Sequence, residues 1–163
     1  SEMCIRDRYT PVNFKELLVS PNDMRKRLIA LINKEIKNKE QGKDAYILAK
    51  VNHITDRALI EKLYEASAAG VKIELVVRGN CSLVPGVPGV SENIHINGII
   101  DRYLEHSRIF IFANAGEERY YIGSADWMPR NLDNRIEVLA PVYDKEIQAD
   151  LKRIVCYLSL IHI

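Results

Sequence analysis

The sequence carries no surplus of either charge. Its 23 Lys and Arg against 22 Asp and Glu leave a net charge of +1, so no basic excess points to nucleic acid and there is no acidic tail. A local cluster of arginines can still bind anions, because the local field need not follow the net charge. Cysteine is scarce: Cys4, Cys81 and Cys156 are odd in number and far apart. They form neither a metal spacing nor a disulfide framework, which fits a reducing, cytosolic setting. No apolar run approaches the roughly 20 residues needed to span a bilayer, and no secretory signal is visible at the start. Tandem repeats and low-complexity segments are missing as well. What remains is a chain of 163 residues, 47% hydrophobic and 28% charged, enough for one domain with a proper core.

The two ends lack period and capping logic. "SEMCIRDRY" and "LSLIHI" resemble short strings that arise when sequencing-adapter DNA is translated at the edges of assembled fragments. Residues 1–9 and 159–163 are therefore expected to be non-native, with a domain at 10–158 cut from a longer open reading frame.

Between the ends the pattern is that of a mixed α/β fold. "SPNDMRKRLIALINKEIKNKEQG" predicts a helix with Ser20 as cap, Pro21 in the first turn and Gly42 as stop. Met24, Leu28, Leu31, Ile32 and Ile36 share its inward face, and the charged face is expected in solvent. "DAYILAKV" reads as a buried strand. "TDRALIEKLYEASAAG" is a second helix, with Leu59, Ile60, Leu63 and Tyr64 inward and Gly70 at its end. "VKIELVVR" is another strand, so the three form a βαβ unit with a parallel pair. "GNCSLVPGVPGVSEN" is a loop, and one of that length inside a compact domain is often functional. Further strands are expected at about 94–99, 108–113, 119–123 and 135–140. "DKEIQADLKRIVCYL" closes as a helix on Ile147, Leu151, Ile154, Val155 and Leu158. The fold class is α/β, a mixed central sheet flanked by helices.

Some of the polar residues fall where such sheets bind ligands. Arg78 ends a strand at its carboxyl end, and Gly79 lets a ligand approach the backbone. The planar guanidinium fork suits phosphate oxygens. His106 and Arg108 alternate at the mouth of an apolar strand and project to one side. Downstream, Gly123 and Ser124 end a short strand and Asp126 follows. A histidine, a cation and a Gly-Ser-x-Asp turn brought together could hold a phosphoryl group and exchange its proton. On the residues alone, a surface arginine in an ordinary turn and a half-buried histidine satisfied by Glu105 or Asp126 stay open as the plainer readings. His95 is expected on the solvent face of a strand. The polarity of His53 is accounted for by the start of a helix. Trp127 and Met128 read as core or interface.

"FKELLVSP", "RGNCSLVPGVPGVSENI", "DRYLEHSRIFIF" and "YIGSADWMPRNLDNRIEVLAPV" resemble, in order and spacing, the last catalytic domain of the bacterial polyphosphate kinase family. The similarity runs from about Phe14 to about Val155. It implies a phospholipase D-like fold and reversible transfer of the terminal phosphoryl group of ATP to a polyphosphate chain. The family's phosphorylated histidine belongs to the preceding, related domain, so this chain alone is expected to be inactive. Arg78 matches the family's nucleotide-contacting arginine, and His106 its second active-site histidine, an ATP contact and possible general acid or base. Arg108 and Asp126 match positions suited to a phosphate clamp and a histidine orienter. Mg²⁺ is implied for the whole enzyme at residues outside this chain, so no metal residue is assigned here. The resemblance also implies a homo-oligomer. No nucleic-acid partner and no transmembrane segment are expected from charge and hydropathy, and the expected location is cytoplasmic, with peripheral attachment to the inner membrane left open.

The wider phospholipase D-like pattern has a lysine two residues after the histidine, then an aspartate, then Gly-Ser-x-Asn. Here Arg108, Ala113 and Asp126 stand at the lysine, aspartate and asparagine positions. Two alternatives follow: a non-catalytic phosphate- or anion-binding module that kept the fold, and a phospholipase D-like phosphodiesterase. The missing lysine and aspartate count against the second.

Overall fold

The computed structural model describes residues 16–21, 23–99 and 107–160. Seven strands form one sheet in the order β1-β7-β6-β5-β2-β3-β4. They are β1 (Leu18–Ser20), β2 (Tyr46–Val51), β3 (Lys72–Val77), β4 (Ile94–Gly98), β5 (Arg108–Phe112), β6 (Arg119–Gly123) and β7 (Glu137–Val142). β2, β3 and β4 run parallel, and the remaining neighbours are antiparallel. The mixed α/β class and the β2–helix–β3 unit expected from the sequence are both present.

Helix α1 (Met24–Glu40) buries Met24, Leu28 and Ile32, spaced four apart on one face, and Gly42 stops it at φ +72°. Ser20 does not cap this helix. It lies in β1, where its hydroxyl donates to Arg135 O at 2.7 Å and accepts from Glu137 N at 3.0 Å. A three-residue strand at a sheet edge has too short a pattern to be read in advance, and pairing with β7 (Leu18 beside Leu139) creates it. Nor is the polar face of α1 wholly solvated. Glu35 is buried and accepts the Asn114 N–H at 3.0 Å, fastening the helix to the turn after β5.

Helix α2 (Arg57–Ala68) buries Leu59, Ile60 and Leu63. Its N-cap is Asp56, whose carboxylate accepts from Leu59 N at 3.1 Å. Helices α1 and α2 cover one face of the sheet over a core that includes Ile47, Ala49, Ile73, Leu75, Phe110 and Trp127. Helix α3 (Lys145–Leu160) covers the other face above Val76, Ile109, Ile111 and Tyr120. Strands covered on both faces need apolar residues at successive positions, which is why Leu75, Val76 and Val77 of β3 and Ile109 to Phe112 of β5 are apolar without a break.

The inward face of α3 differs from the expected one. Leu151 and Val155 are buried, but Ile147 and Ile154 are 50% and 39% exposed, and Gln148 takes the inward position beside them. Gln148 Nε2 donates to Val142 O at 2.7 Å, so a hydrogen bond at the end of β7 rotates the helix start. β7 itself begins two residues later than the pattern suggested, with Ile136 84% exposed ahead of it.

Candidate functional site

The strand directions bring several chain segments to one rim of the sheet. β2 and β3 end there at Val51 and Val77, β5 starts there at Arg108, β6 ends there at Gly123, and β7 starts there at Glu137. Arg78, Arg108, Ser124 and Asp126 thus share the carboxyl rim of the parallel strands, where ligands meet sheets of this kind. His106 and Glu105 lie outside the described residues. Ser107 is the last residue before β5, and its carbonyl accepts from the buried Lys50 Nζ at 3.0 Å.

Gly123 permits the tight approach of β6 to β7. A Cβ there would lie 2.0 Å from Val138 O. Beyond it the chain turns inward: Asp126 and Trp127 are buried, and the Trp127 ring stacks on Phe110 at 5.3 Å between centroids. Trp127 O accepts from Thr55 N and Asp56 N, each at 2.8 Å, tying this turn to the segment after β2. Arg25 from α1 braces that segment, with Nη2 on Asp56 at 2.7 Å and Nη1 on Asp133 at 2.5 Å.

The two rim arginines differ in what they can still bind. Arg108 donates from Nε to Asp126 Oδ1 at 3.1 Å and from Nη2 to Oδ2 at 2.8 Å. Oδ1 also accepts the backbone N–H groups of Asn52 at 2.8 Å and His53 at 3.3 Å. Among the described residues Oδ2 accepts from Arg108 alone. Arg78 is exposed, and no described carboxylate binds its guanidinium. Of these two arginines, Arg78 is the one that no described carboxylate balances, while the charge of Arg108 is balanced by Asp126.

Sequence reasoning did not anticipate several rim contacts. Glu137 accepts from the Ser124 hydroxyl and from Asn131 Nδ2 at 3.3 Å. His53 does not serve the start of α2, which Asp56 caps; its Nδ1 instead accepts from Asn80 N at 2.9 Å. The His53–Asn80 bond joins residues 27 apart in sequence, and the one advance signal for His53 was its polarity between a strand and a helix. His95 is exposed on β4, and Trp127 is core, both as expected. Burial pushes the Cys81 thiol up, which suppresses the thiolate.

Among the described residues no group of three or more His, Cys, Asp and Glu could hold a metal ion. The rim carboxylates Asp126 and Glu137 are already engaged by Arg108, Ser124 and Asn131, so they do not offer a set for Mg²⁺. Nor is any described helix long and apolar enough to cross a membrane. A cavity of about 300 Å³ lies on the opposite rim, between Arg119, Tyr121 and Tyr143, and includes none of Arg78, Arg108, Ser124 and Asp126.

The fold is shared with a phospholipase D family member, Nuc from Salmonella typhimurium, at a TM-score of 0.62 and 13% identity over 88% of this chain and 93% of that one. The chain matches NucT from Helicobacter pylori with a TM-score of 0.62 at 15% identity, over 87% of this chain and 92% of that one. At such identity the likeness concerns the fold alone. The sequence model for polyphosphate kinase C-terminal domain 2 matches residues 17–159, and the chain belongs to that family. It is 51% identical over 156 residues to a polyphosphate kinase of Vibrio vulnificus, covering 96% of this chain and 22% of the relative. A polyphosphate kinase of Thermosynechococcus vestitus is 54% identical over 140 residues, covering 86% and 19%. The crystal structure of polyphosphate kinase from Porphyromonas gingivalis superposes with a TM-score of 0.87 at 45% identity, over 94% of this chain and 24% of that one. The chain thus spans about a fifth to a quarter of the length of these relatives.

Proposed function

We propose that this domain forms one wall of a nucleotide and polyphosphate cleft in a polyphosphate kinase. There it supports reversible transfer of the terminal phosphoryl group of ATP to a polyphosphate chain. The observation that carries this reading is Arg78: an exposed guanidinium that no described carboxylate binds, at the carboxyl rim of a parallel pair, in a chain of this family. A charge so placed can neutralise the terminal phosphates of a nucleotide, and such transfer depends mainly on positioning and charge stabilisation.

In the forward direction, a histidine of the preceding domain attacks the γ-phosphorus, the bond to the ADP oxygen breaks, and a phosphohistidine forms. A terminal oxygen of polyphosphate then attacks that phosphorus, the P–N bond breaks and the chain grows by one unit. His106 would move a proton at the transferring group. Arg108, held in place by Asp126, would serve as the phosphate clamp beside the transferring group. Mg²⁺, homo-oligomerisation and a cytoplasmic location, with or without peripheral membrane attachment, belong to this same reading of the whole enzyme.

A phosphodiesterase is less well supported. Arg108 and Ala113 stand at its lysine and aspartate positions, and Arg108 is bound to Asp126 at its asparagine position. The test is to recover the parent open reading frame and assay the purified protein. ATP-dependent formation of polyphosphate supports the proposal. Failure to form it, with retained phosphate binding, would favour the anion-binding module.

A further inference from the structure

The hydrogen-bond ladder between β2 and β3 continues beyond the end of β3. Arg78 N donates to Val51 O at 3.2 Å, and Gly79 N donates to Asn52 O at 2.7 Å. The next acceptor in that sequence would be the carbonyl of His53. It is engaged on the other side, where it accepts from Trp127 N at 3.2 Å. The Asn80 N–H would be left to solvent at this exposed point, with nothing in the chain to fix the turn. The imidazole of His53 takes the place of the missing carbonyl, with Nδ1 accepting from Asn80 N at 2.9 Å. The pairing then resumes, as Ile54 N donates to Asn80 O and Ser82 N to Ile54 O, both at 2.9 Å.

Gly79 makes room for this substitution. A Cβ on residue 79 would lie 2.2 Å from His53 Cε1 and 2.5 Å from Nδ1. The ring therefore lies against the backbone of the residue that follows Arg78. Because Nδ1 accepts an N–H, it carries a lone pair and the ring proton is on Nε2.

We propose that His53 is the positioning residue for Arg78. By closing the turn at Arg78–Asn80 it sets the direction in which the guanidinium reaches the terminal phosphates of a nucleoside triphosphate. This rests on the role given to Arg78 under Proposed function. His53 itself touches neither phosphate nor the reacting atoms. An asparagine at this position places its Oδ1 on the same side-chain branch as Nδ1 and supplies an acceptor. An alanine supplies none.

The test uses a full-length polyphosphate kinase carrying this segment, with ATP as the varied substrate. Arg78→Ala should raise the KM for ATP at least about tenfold, as expected for a lost charge-assisted hydrogen bond. His53→Ala should raise it about threefold to tenfold, as loss of one neutral hydrogen bond would, with kcat within about twofold of the parent. His53→Asn should recover most of the loss. In the double variant, His53→Ala should add little once Arg78 is gone, because its effect runs through that side chain. The inference is overturned if His53→Ala leaves KM unchanged while Arg78→Ala raises it. It is likewise overturned if His53→Asn is as impaired as His53→Ala, or if the two alanine effects multiply in full. An unchanged KM in Arg78→Ala would instead sink the reading of Arg78, and this inference with it.

Discussion

Arg108 and Asp126 are bound to each other through two hydrogen bonds, Nε to Oδ1 at 3.1 Å and Nη2 to Oδ2 at 2.8 Å. These are two of the positions at which the chain departs from the wider phospholipase D-like pattern. The departures are therefore not independent. Arginine supplies a planar fork that lysine lacks, and aspartate supplies the two oxygens that a fork needs. With side chains only 13% and 4% exposed, the pair is largely shielded from water.

That shielding makes the pair sensitive to loss of one member. Asp126→Ala would take from Arg108 the carboxylate that accepts its Nε and Nη2, and would remove the acceptor of the Asn52 and His53 N–H groups. Breaking a buried pair in this way costs about 3–5 kcal/mol. Chemical denaturation of the chain and its variant should show a loss in that range. A loss below about 1 kcal/mol would place the pair with exposed ion pairs of small worth.

Glu35 gives a pH dependence of definite sign. Burial raises its carboxyl above the ordinary value of 4.5, and the hydrogen bonds from the Asn114 and Tyr46 backbone and the Asn38 side chain only partly offset this. The folded state therefore holds a proton on Glu35 more readily than the unfolded chain does. Between 4.5 and the raised value, stability contributed by this group falls as pH rises. The stability of the wild type relative to Glu35→Gln should accordingly increase as pH is lowered through that window, then level off. Thermal melts of both proteins from acid to neutral pH would read this difference, and a constant gap would refute it. Glu118 pulls the other way. Burial works to raise its carboxyl, but hydrogen bonds from Tyr46 and Lys152 outweigh that and hold it below the ordinary value, so its contribution is lost as pH falls. Comparison within the Glu35 pair cancels it.

How much of this could be read from the chain alone depends on the range of the contact. The βαβ unit, the stops at Gly42 and Gly70 and the loop after Arg78 rest on local period and turn chemistry, and they stand in the structure. Ser20 was assigned by local logic to a cap, yet a partner 115 residues away claims its hydroxyl. The same holds for Glu35, bound 79 residues along the chain, and for Arg108, whose partner is 18 residues on across a strand and a turn. The outward turn of Ile147 and Ile154 follows from Gln148 reaching the end of β7, which no helical period records. Arg78 was legible because a strand end is a local feature. The support it receives from His53 was not, because that bond exists only where His53 O has turned toward Trp127.

The division of labour assigned to the domain has its own consequence. If the phosphorylated histidine belongs to the preceding domain, as proposed, incubation of this protein with ATP labelled at the γ-phosphate should leave it unlabelled. Acid-labile label on His106 would overturn that division. In a full-length enzyme, His106→Ala should lower turnover by about 10²–10⁴-fold if its imidazole moves a proton in the transition state. Near-normal turnover would return it to a polar residue at the head of a strand.

The central claim, that Arg78 is the nucleotide-binding charge on this rim, is tested most directly by equilibrium binding. Titration of a non-hydrolysable ATP analogue into full-length enzyme and its Arg78→Ala variant would compare the two affinities without chemistry intervening. Loss of a charge-assisted hydrogen bond predicts a weakening of about 1.5–3 kcal/mol, or roughly 10- to 150-fold in Kd. Equal affinity in the two proteins would contradict the account.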